Sequence, residues 1–226
     1  MEIKVPHFIF SSTAAVYGMP KENPVGEDAR LEPISPYGTS KLMTELMLRD
    51  TARAHDLRYV ALRYFNVAGA DPLGRSGQST ARATHLIKVA SEAALGERSY
   101  LEVFGTDYPT PDGTCIRDYI HVSDLVRAHL DALRYLRAGG ESEVLNCGYG
   151  SGFSVRDVIK SVKQVSQRDF PVRLAPRRPG DPAAIVAGAE RIGQVLGWKP
   201  RLNDLDTIVG HALGWEKRLI EYRAAS

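Results

Sequence analysis

Only two cysteines, Cys115 and Cys147, occur in 226 residues. They stand alone, without the paired spacing of a metal-ligand set. Neither a disulfide framework nor a zinc module is expected, no metal site is read, and both read as reduced structural thiols. Charge of one sign is lacking as well: Lys and Arg total 29 against 27 Asp and Glu, a net charge of +2 with both signs interspersed. Nothing in that balance points to nucleic acid or an anionic membrane as partner. No apolar run approaches a membrane span, and residues 1–6 lack the apolar region of a signal peptide, so a cytoplasmic protein is expected. Internal repeats and low-complexity tracts are absent. A glycine-rich phosphate turn is missing too. The nearest candidate, Gly148-Tyr149-Gly150-Ser151-Gly152, follows a strand-like run but has no third glycine at the right offset. Ser154 and Asp157 just beyond it read better as a helix-capping box.

What is present is an ordinary globular composition, 43% hydrophobic and 25% charged. The chain can bury a core as one large domain or two small ones. His7-Phe8-Ile9-Phe10 reads as a buried strand that breaks into Ser11-Ser12-Thr13, and residues 19–34 as a polar, proline-punctuated loop. Pro36 suits the first turn of a helix reaching about His55, with Leu42, Leu46 and Leu48 as its apolar stripe. Residues 58–64 read as the next buried strand, and the strand–helix–strand order predicts a parallel sheet. Residues 66–80 read as a loop, with a helix following from about Thr84 to Leu95. Strands are expected over 101–104 and 114–120. Ser123 then caps a helix with Leu125, Val126, His129, Leu130 and Leu133 on one face. His129 reads as a packed structural histidine. A strand over 143–147 leads to a helix over 154–167 with Val155, Val158, Ile159, Val162 and Val165 inward. The last helix, from about Asp204, keeps Leu205, Ile208, Val209, Ala212, Leu213 and Leu219 at helical spacing, with Glu216 as a polar exception.

The chemistry-bearing pattern is Ser35-Pro36-Tyr37-Gly38-Thr39-Ser40-Lys41. On a helix Tyr37 and Lys41 share one face, about one turn apart. A phenol titrates near 10 and is a poor base at neutral pH, but a neighbouring ammonium favours the phenolate and makes a proton acceptor for a hydroxyl. The spacing alone is weak evidence, since a helix-start tyrosine beside a solvated lysine gives the same pattern. Tyr17 and Lys21 share the spacing, yet Gly18 and Pro20 forbid a regular helix there. Only Tyr37 and Lys41 have the required context, with a Ser/Thr-rich strand end upstream.

Several longer motifs follow in order: Ser-Ser-Thr-Ala-Ala-Val-Tyr-Gly at 11–18, Arg-Tyr-Phe-Asn-Val-Ala-Gly-Ala at 63–70, Phe-Gly-Thr-Asp-Tyr at 104–108, Asp-Gly-Thr-Cys-Ile-Arg-Asp-Tyr-Ile-His-Val at 112–122 and Arg-Arg-Pro-Gly-Asp at 177–181. With the Tyr37–Lys41 helix, the chain resembles the extended short-chain dehydrogenase/reductase family, and within it the UDP-glucose (UDP-galactose) 4-epimerases, over nearly its whole length. The resemblance implies an α/β fold: a Rossmann-like parallel sheet with a smaller α/β substrate-binding domain. It implies a division into 1–66 with about 117–147 on the NAD side, and 67–116 with 148–226 on the UDP-sugar side. It further implies that family members carry, ahead of the matched region, roughly 110 residues with the glycine-rich turn and ribose-binding acid of the dinucleotide fold. The amino-terminal βαβ units are therefore expected to be missing, leaving an exposed sheet edge.

By the same resemblance Tyr37 is the acid/base, Lys41 depresses its pKa and bonds the nicotinamide ribose, and Thr13 hydrogen-bonds the reacting hydroxyl. NAD is the implied cofactor, with Ser11, Ser12, Tyr64 and Phe65 beside Tyr37 and Lys41 at its site. UDP-galactose and UDP-glucose are the implied substrates, held by Thr13, Asn66, His85, Leu86, Phe104, Arg117, Tyr119, Arg178, Asp181 and Ile185. Arg117 and Arg178 suit the diphosphate, and Asp181 suits the ribose hydroxyls, although it could instead pair with Arg177. Ile185 falls where the family varies the sugar pocket, and Lys88 departs from an expected proline. A family homodimer through a helical bundle including the Tyr/Lys helix is implied, with its interface here incomplete. Two other readings stay open: a related nucleotide-sugar 4-epimerase or dehydratase, disfavoured because Thr13-Ala14-Ala15 carries no acid, and a non-catalytic chain that keeps a UDP-sugar-binding surface.

Overall fold

A computed structural model describes residues 5–224; residues 1–4, part of the segment read for a signal peptide, and residues 225–226 lie outside the described residues. β1 (His7–Thr13) carries its aromatic run on through Ser11, Ser12 and Thr13. A 3-10 turn (Ala14–Tyr17) follows, capped by the Thr13 side chain. The loop beyond it is tethered at Val25, which bridges to Ala187. α1 (Pro36–Ala54) starts with Pro36 in its first turn and the Ser35 hydroxyl accepting from Gly38 N. β2 (Arg58–Tyr64) and β3 (Asn66–Ala68) come next, so the segment expected to open as a loop first adds a short strand. The order then runs α2 (Leu86–Ala94), β4 (Leu101–Phe104), β5 (Ile116–Arg117), β6 (Tyr119–His121), α3 (Val122–Arg137), β7 (Glu143–Cys147), β8 (Phe153–Ser154), α4 (Val155–Ser166), β9 (Val172–Ala175), β10 (Ala184–Ile185), α5 (Glu190–Leu196) and α6 (Leu205–Ala224).

The expected parallel sheet is present in the order β1-β2-β7. β1 and β2 pair without interruption from His7↔Arg58 to Thr13↔Tyr64, and Tyr64 in turn pairs with Cys147 of β7. Smaller sheets join β10-β5-β8, β3-β6 and β4-β9. The strand expected over 114–120 is split at Asp118, which belongs to neither β5 nor β6. One core lies between the first sheet and α3, with Val60, Leu62, Leu145, Ala128 and Leu136. A second gathers α2, α4 and α6 around Ile87, Val158, Val162 and Ile208. Ile192 and Trp198, in the stretch expected on the UDP-sugar side, pack into the first core.

Three faces differ from the sequence reading. On β1, at the edge of the sheet among the described residues, Phe8 is half-exposed rather than buried. The stripe of α1 is only partly its inner side: Leu42 packs half-buried against Val16 and Tyr17, Leu46 is exposed with Met43 and Met47, and only Gly38 and Glu45 are fully buried. On α3 the buried residues are Leu125, Ala128, Ala132 and Leu136, and Val126, Leu130 and Leu133 are exposed. Small residues win that face because they let α3 settle closely against the sheet. The cap of α3 also moves: His121, not Ser123, is the N-cap, and its side chain accepts from Ser123 N. By contrast the capping box Ser154/Asp157 and the inward valines of α4 are found where expected.

Candidate active site

The carboxyl ends of β1, β2 and β7 lie level, which is where open parallel sheets take their ligands. Ser11, Ser12 and Thr13 close β1 there, and Tyr64, Phe65 and Asn66 leave β2 beside them. α1 begins over this end. Tyr37 in its first turn is half-exposed, and the Lys41 ammonium lies 5.7 Å from the centre of its ring. Lys41 also donates to Ser11 O at 2.9 Å and sits 5.0 Å from the Phe10 ring, so the lysine is seated on the strand. Thr13 is buried, and its Oγ1 accepts from Ala15 N at 3.2 Å, a bond that leaves its O–H free to donate elsewhere. Tyr64 is close enough to feel Tyr37: burial, and then the neighbouring phenol, push its own phenol upward.

The remaining residues read for the cofactor are committed to the fold. Ser12 is fully buried and donates to Glu45, and Phe65 packs with Val16 and Tyr17. His129 keeps the structural role read for it, though not by apolar packing. Its Nδ1 lies 2.9 Å from Leu125 O and so carries the proton, leaving Nε2 to accept from Ser11 Oγ at 2.8 Å.

A second region opens beside this one. A cavity of about 750 Å³ is lined by Asn66, His85, Leu86, Phe104, Arg117, Tyr119, Arg178 and Asp181, together with Arg82, Tyr100, Glu102 and Cys115. Most of the residues read for substrate are thus brought together from β3, α2, β4, β5, β6 and the loop after β9. Arg117 Nη2 meets Asp181 Oδ1 at 3.2 Å, while Arg177 pairs with Asp107 at 2.7 Å, so the alternative Arg177–Asp181 pair does not form. The Arg178 guanidinium lies 3.6 Å over the Phe104 ring. Ile185 is not among the lining residues; it is buried beside Ala187 and Phe65, in register with Arg117. Thr13 stays at the end of β1 and does not line the cavity either.

The glycine-rich turn after β7 binds a carboxylate of its own chain. Asp118, fully buried, accepts from Tyr149 N at 3.0 Å, Gly150 N at 2.9 Å and Ala187 N at 3.2 Å. The Tyr149 and Gly150 N–H groups of the turn are therefore engaged and not free for a phosphate. Lys88, where the resemblance led us to expect proline, is buried and donates to Glu216 at 2.6 Å, with Glu92 at 3.2 Å. The polar exception on α6 and the odd residue on α2 are one ion pair behind His85 and Leu86. Each was visible in the sequence as an exception; their pairing across the chain was not. Among the described residues no group of His, Cys, Asp and Glu could hold a metal ion, and no helix is long and apolar enough to cross a membrane.

The sequence profile of the NAD dependent epimerase/dehydratase family matches residues 1–148. This is more than half of the chain, and the chain belongs to that family. It is 63% identical over 211 residues to the UDP-glucose 4-epimerase of Azospirillum brasilense, with 93% of this chain and 61% of that protein covered. The solved UDP-glucose 4-epimerase from Brucella ovis in complex with NAD matches with a TM-score of 0.89 at 48% identity, over 92% of this chain and 64% of that one. The enzyme from Bifidobacterium longum in complex with NAD+ and UDP matches with a TM-score of 0.88 at 40% identity, over 94% and 64%. The chain thus spans 61% to 64% of the length of these proteins.

Proposed function

We propose that this chain carries the acid/base pair and the nucleotide-sugar site of a UDP-glucose 4-epimerase, which interconverts UDP-galactose and UDP-glucose through a 4-keto sugar. The observation that carries this reading is the seating of Tyr37 and Lys41 at the carboxyl ends of β1 and β2, beside a cavity where Arg117, Arg178, Asp181 and Phe104 converge. NAD, when bound, would supply the hydride acceptor and donor for C4 of the sugar. The residues present fit the nicotinamide-ribose end of that cofactor: Lys41, Tyr37 and Tyr64 would hold it, with Ser11, Ser12 and Phe65 behind them. Among the described residues, the glycine-rich turn after β7 does not offer its phosphates the Tyr149 and Gly150 N–H groups, which Asp118 engages.

Tyr37 takes the proton of the sugar 4-hydroxyl and returns it to the keto oxygen after the sugar has turned over. The Lys41 ammonium stabilises the negative charge that develops on the phenol oxygen. The Thr13 O–H donates to the same sugar oxygen. Arg117 and Arg178 suit the diphosphate, Phe104 the flat face of the base and Asp181 the ribose hydroxyls. On this reading residues 1–66 and about 117–147 form the cofactor side, and residues 67–116 and 148–226 the UDP-sugar side. The exposed Met43, Leu46 and Met47 on α1 support self-association through that helix.

The test is to denature the purified chain, quantify released NAD, titrate UDP by calorimetry and assay UDP-galactose turnover. Tyr37→Phe is expected to lower turnover by about 10²–10⁴-fold with UDP affinity little changed. Retained turnover in that variant overturns the assignment. UDP binding without NAD or turnover establishes instead a UDP-sugar-binding chain without chemistry.

A further inference from the structure

Tyr37, Lys41 and Glu45 stand at four-residue intervals on α1 and share one face. The first two belong to the chemistry proposed above. Glu45 has no part in it, yet it is one of the most deliberately placed side chains in the molecule. It is 5% exposed and accepts from Ser12 Oγ at 2.5 Å. It also receives the fork of Arg63 from β2, Nε at 3.0 Å and Nη2 at 2.6 Å. The remaining arm of Arg63, Nη1, donates to Tyr17 OH at 3.0 Å and to Glu27 O at 3.1 Å. Tyr17 O–H in turn donates to Asn146 Oδ1 on β7 at 2.7 Å. One carboxylate therefore ties α1 directly to β1 and, through Arg63, to β2, the 3-10 turn and β7.

A helix against a sheet is ordinarily held in rotation by an apolar stripe. On α1 that stripe is reduced to Leu42, half-buried against the cluster of Ala14, Val16 and Tyr17; Gly38 and Glu45 are its buried residues, and Met43, Leu46 and Met47 are exposed. Beside Leu42, three contacts along one face seat it. Gly38 approaches the backbone at Ala15, Lys41 reaches Ser11 O, and Glu45 reaches Ser12 Oγ. The last two fall on consecutive residues of β1, immediately before Thr13.

We propose that Glu45, held by Arg63, is a positioning residue that sets the rotation of α1 over β1, and with it the seating of Lys41 on Ser11 and of Tyr37 one turn earlier. This rests on the reading of Tyr37 and Lys41 as the acid/base pair. The electrostatics agree. Burial opposes the Arg63 charge, but the Glu45 fork and the Tyr17 contacts more than offset it and keep the guanidinium firmly protonated. Burial lifts the Tyr17 phenol to about 12 against the pull of Arg63, so Tyr17 remains a donor to Asn146.

A buried ion pair replaced by apolar residues often loses no stability, which separates positioning from mere support. The experiment compares the chain with Glu45→Gln and with the double variant Glu45→Met/Arg63→Met. Reductive methylation of Lys41 is followed by peptide mass spectrometry, with the exposed Lys199 and Lys217 as internal references, and UDP calorimetry and a urea transition monitor the fold. Lys41 is expected to label about tenfold faster in both variants, the size of one lost charge-assisted hydrogen bond, with UDP affinity within about twofold. The double variant is expected to keep its urea midpoint and still lose Lys41 protection. If Glu45→Gln does not fold, the double variant decides alone. Unchanged Lys41 labelling, or protection restored by the apolar pair, overturns the proposal. Where the parent chain turns over UDP-galactose, kcat is expected to fall about 30–100-fold with KM little changed. A parent chain without turnover refutes the functional reading, and the Lys41 labelling still decides the positioning role.

Discussion

His121 is a residue whose charge state is decided by its neighbours. It is fully buried, with Nδ1 accepting from Ser123 N at 3.0 Å and Nε2 lying 2.9 Å from His211 Nδ1. Since Nδ1 accepts, Nε2 carries the proton and donates to His211. Burial, then the nearby His211 and Arg127, push its pKa down to about 4 from 6.5, against a weaker pull from Asp71. The folded imidazole thus stays neutral where the unfolded one takes a proton. Stability from this group is complete above the unfolded pKa and is lost as pH falls from about 6.5 towards 4, by roughly 3 kcal/mol in all. A second proton would also turn Nδ1 into a donor facing Ser123 N and remove the cap of α3. Between pH 7 and pH 5 the loss is expected to be about 2 kcal/mol, read from urea midpoints. His121→Asn keeps an acceptor for Ser123 N and is expected to flatten that pH dependence by about this amount. An equally steep profile in the variant would place the titration elsewhere.

At the scale of elements, α1 shows how a close approach can outweigh helix propensity. Replacing a helical glycine with alanine ordinarily gains about 1 kcal/mol. At Gly38 the added Cβ would lie 2.6 Å from Ala15 O and 3.0 Å from Pro33 Cβ, the first a backbone atom that cannot swing aside. Moving the first turn of α1 away from the 3-10 turn is expected to cost more than the propensity gains. The net loss should be about 2 kcal/mol, a fall in Tm of roughly 4–8 °C. Thermal unfolding of Gly38→Ala measures it, and a rise in Tm would mean that α1 yields there. The same close fit explains why the apolar pattern of α1 is only partly used: a glycine and a carboxylate are its fully buried residues, Leu42 is half-buried beside them, and Leu46 and the methionines are left outside.

At the scale of the whole molecule, the first sheet ends on an open side. Among the described residues β1 pairs only with β2, and Phe8 on it is 42% exposed. Unpaired edge strands of this kind join to one another unless a charge or a cover prevents it. The chain is therefore expected to self-associate with rising concentration in sedimentation equilibrium, and Phe8→Lys to shift the onset to higher concentration. A monodisperse monomer over the whole range would mean that the edge is protected.

The local elements were legible in the chain because each follows from short-range pattern. The strand over 58–64, the capping box at Ser154 and Asp157, and the Tyr37–Lys41 spacing depend on residues within a turn or two of one another. So did the negative findings, from the isolated cysteines to the absent phosphate fingerprint. Long-range partnership was decided only in three dimensions. Lys88 and Glu216 lie far apart in sequence, yet the buried Glu216 charge is met by Lys88. Asp118 engages the N–H groups of a turn that sequence alone could only reject on spacing. Glu45 and Arg63, with Leu42 alone of the expected stripe packed on a core cluster, hold α1. A pattern in one segment records which side chains can be buried, and the tertiary structure decides which polar groups must be, because a buried charge exists only where the fold brings its partner.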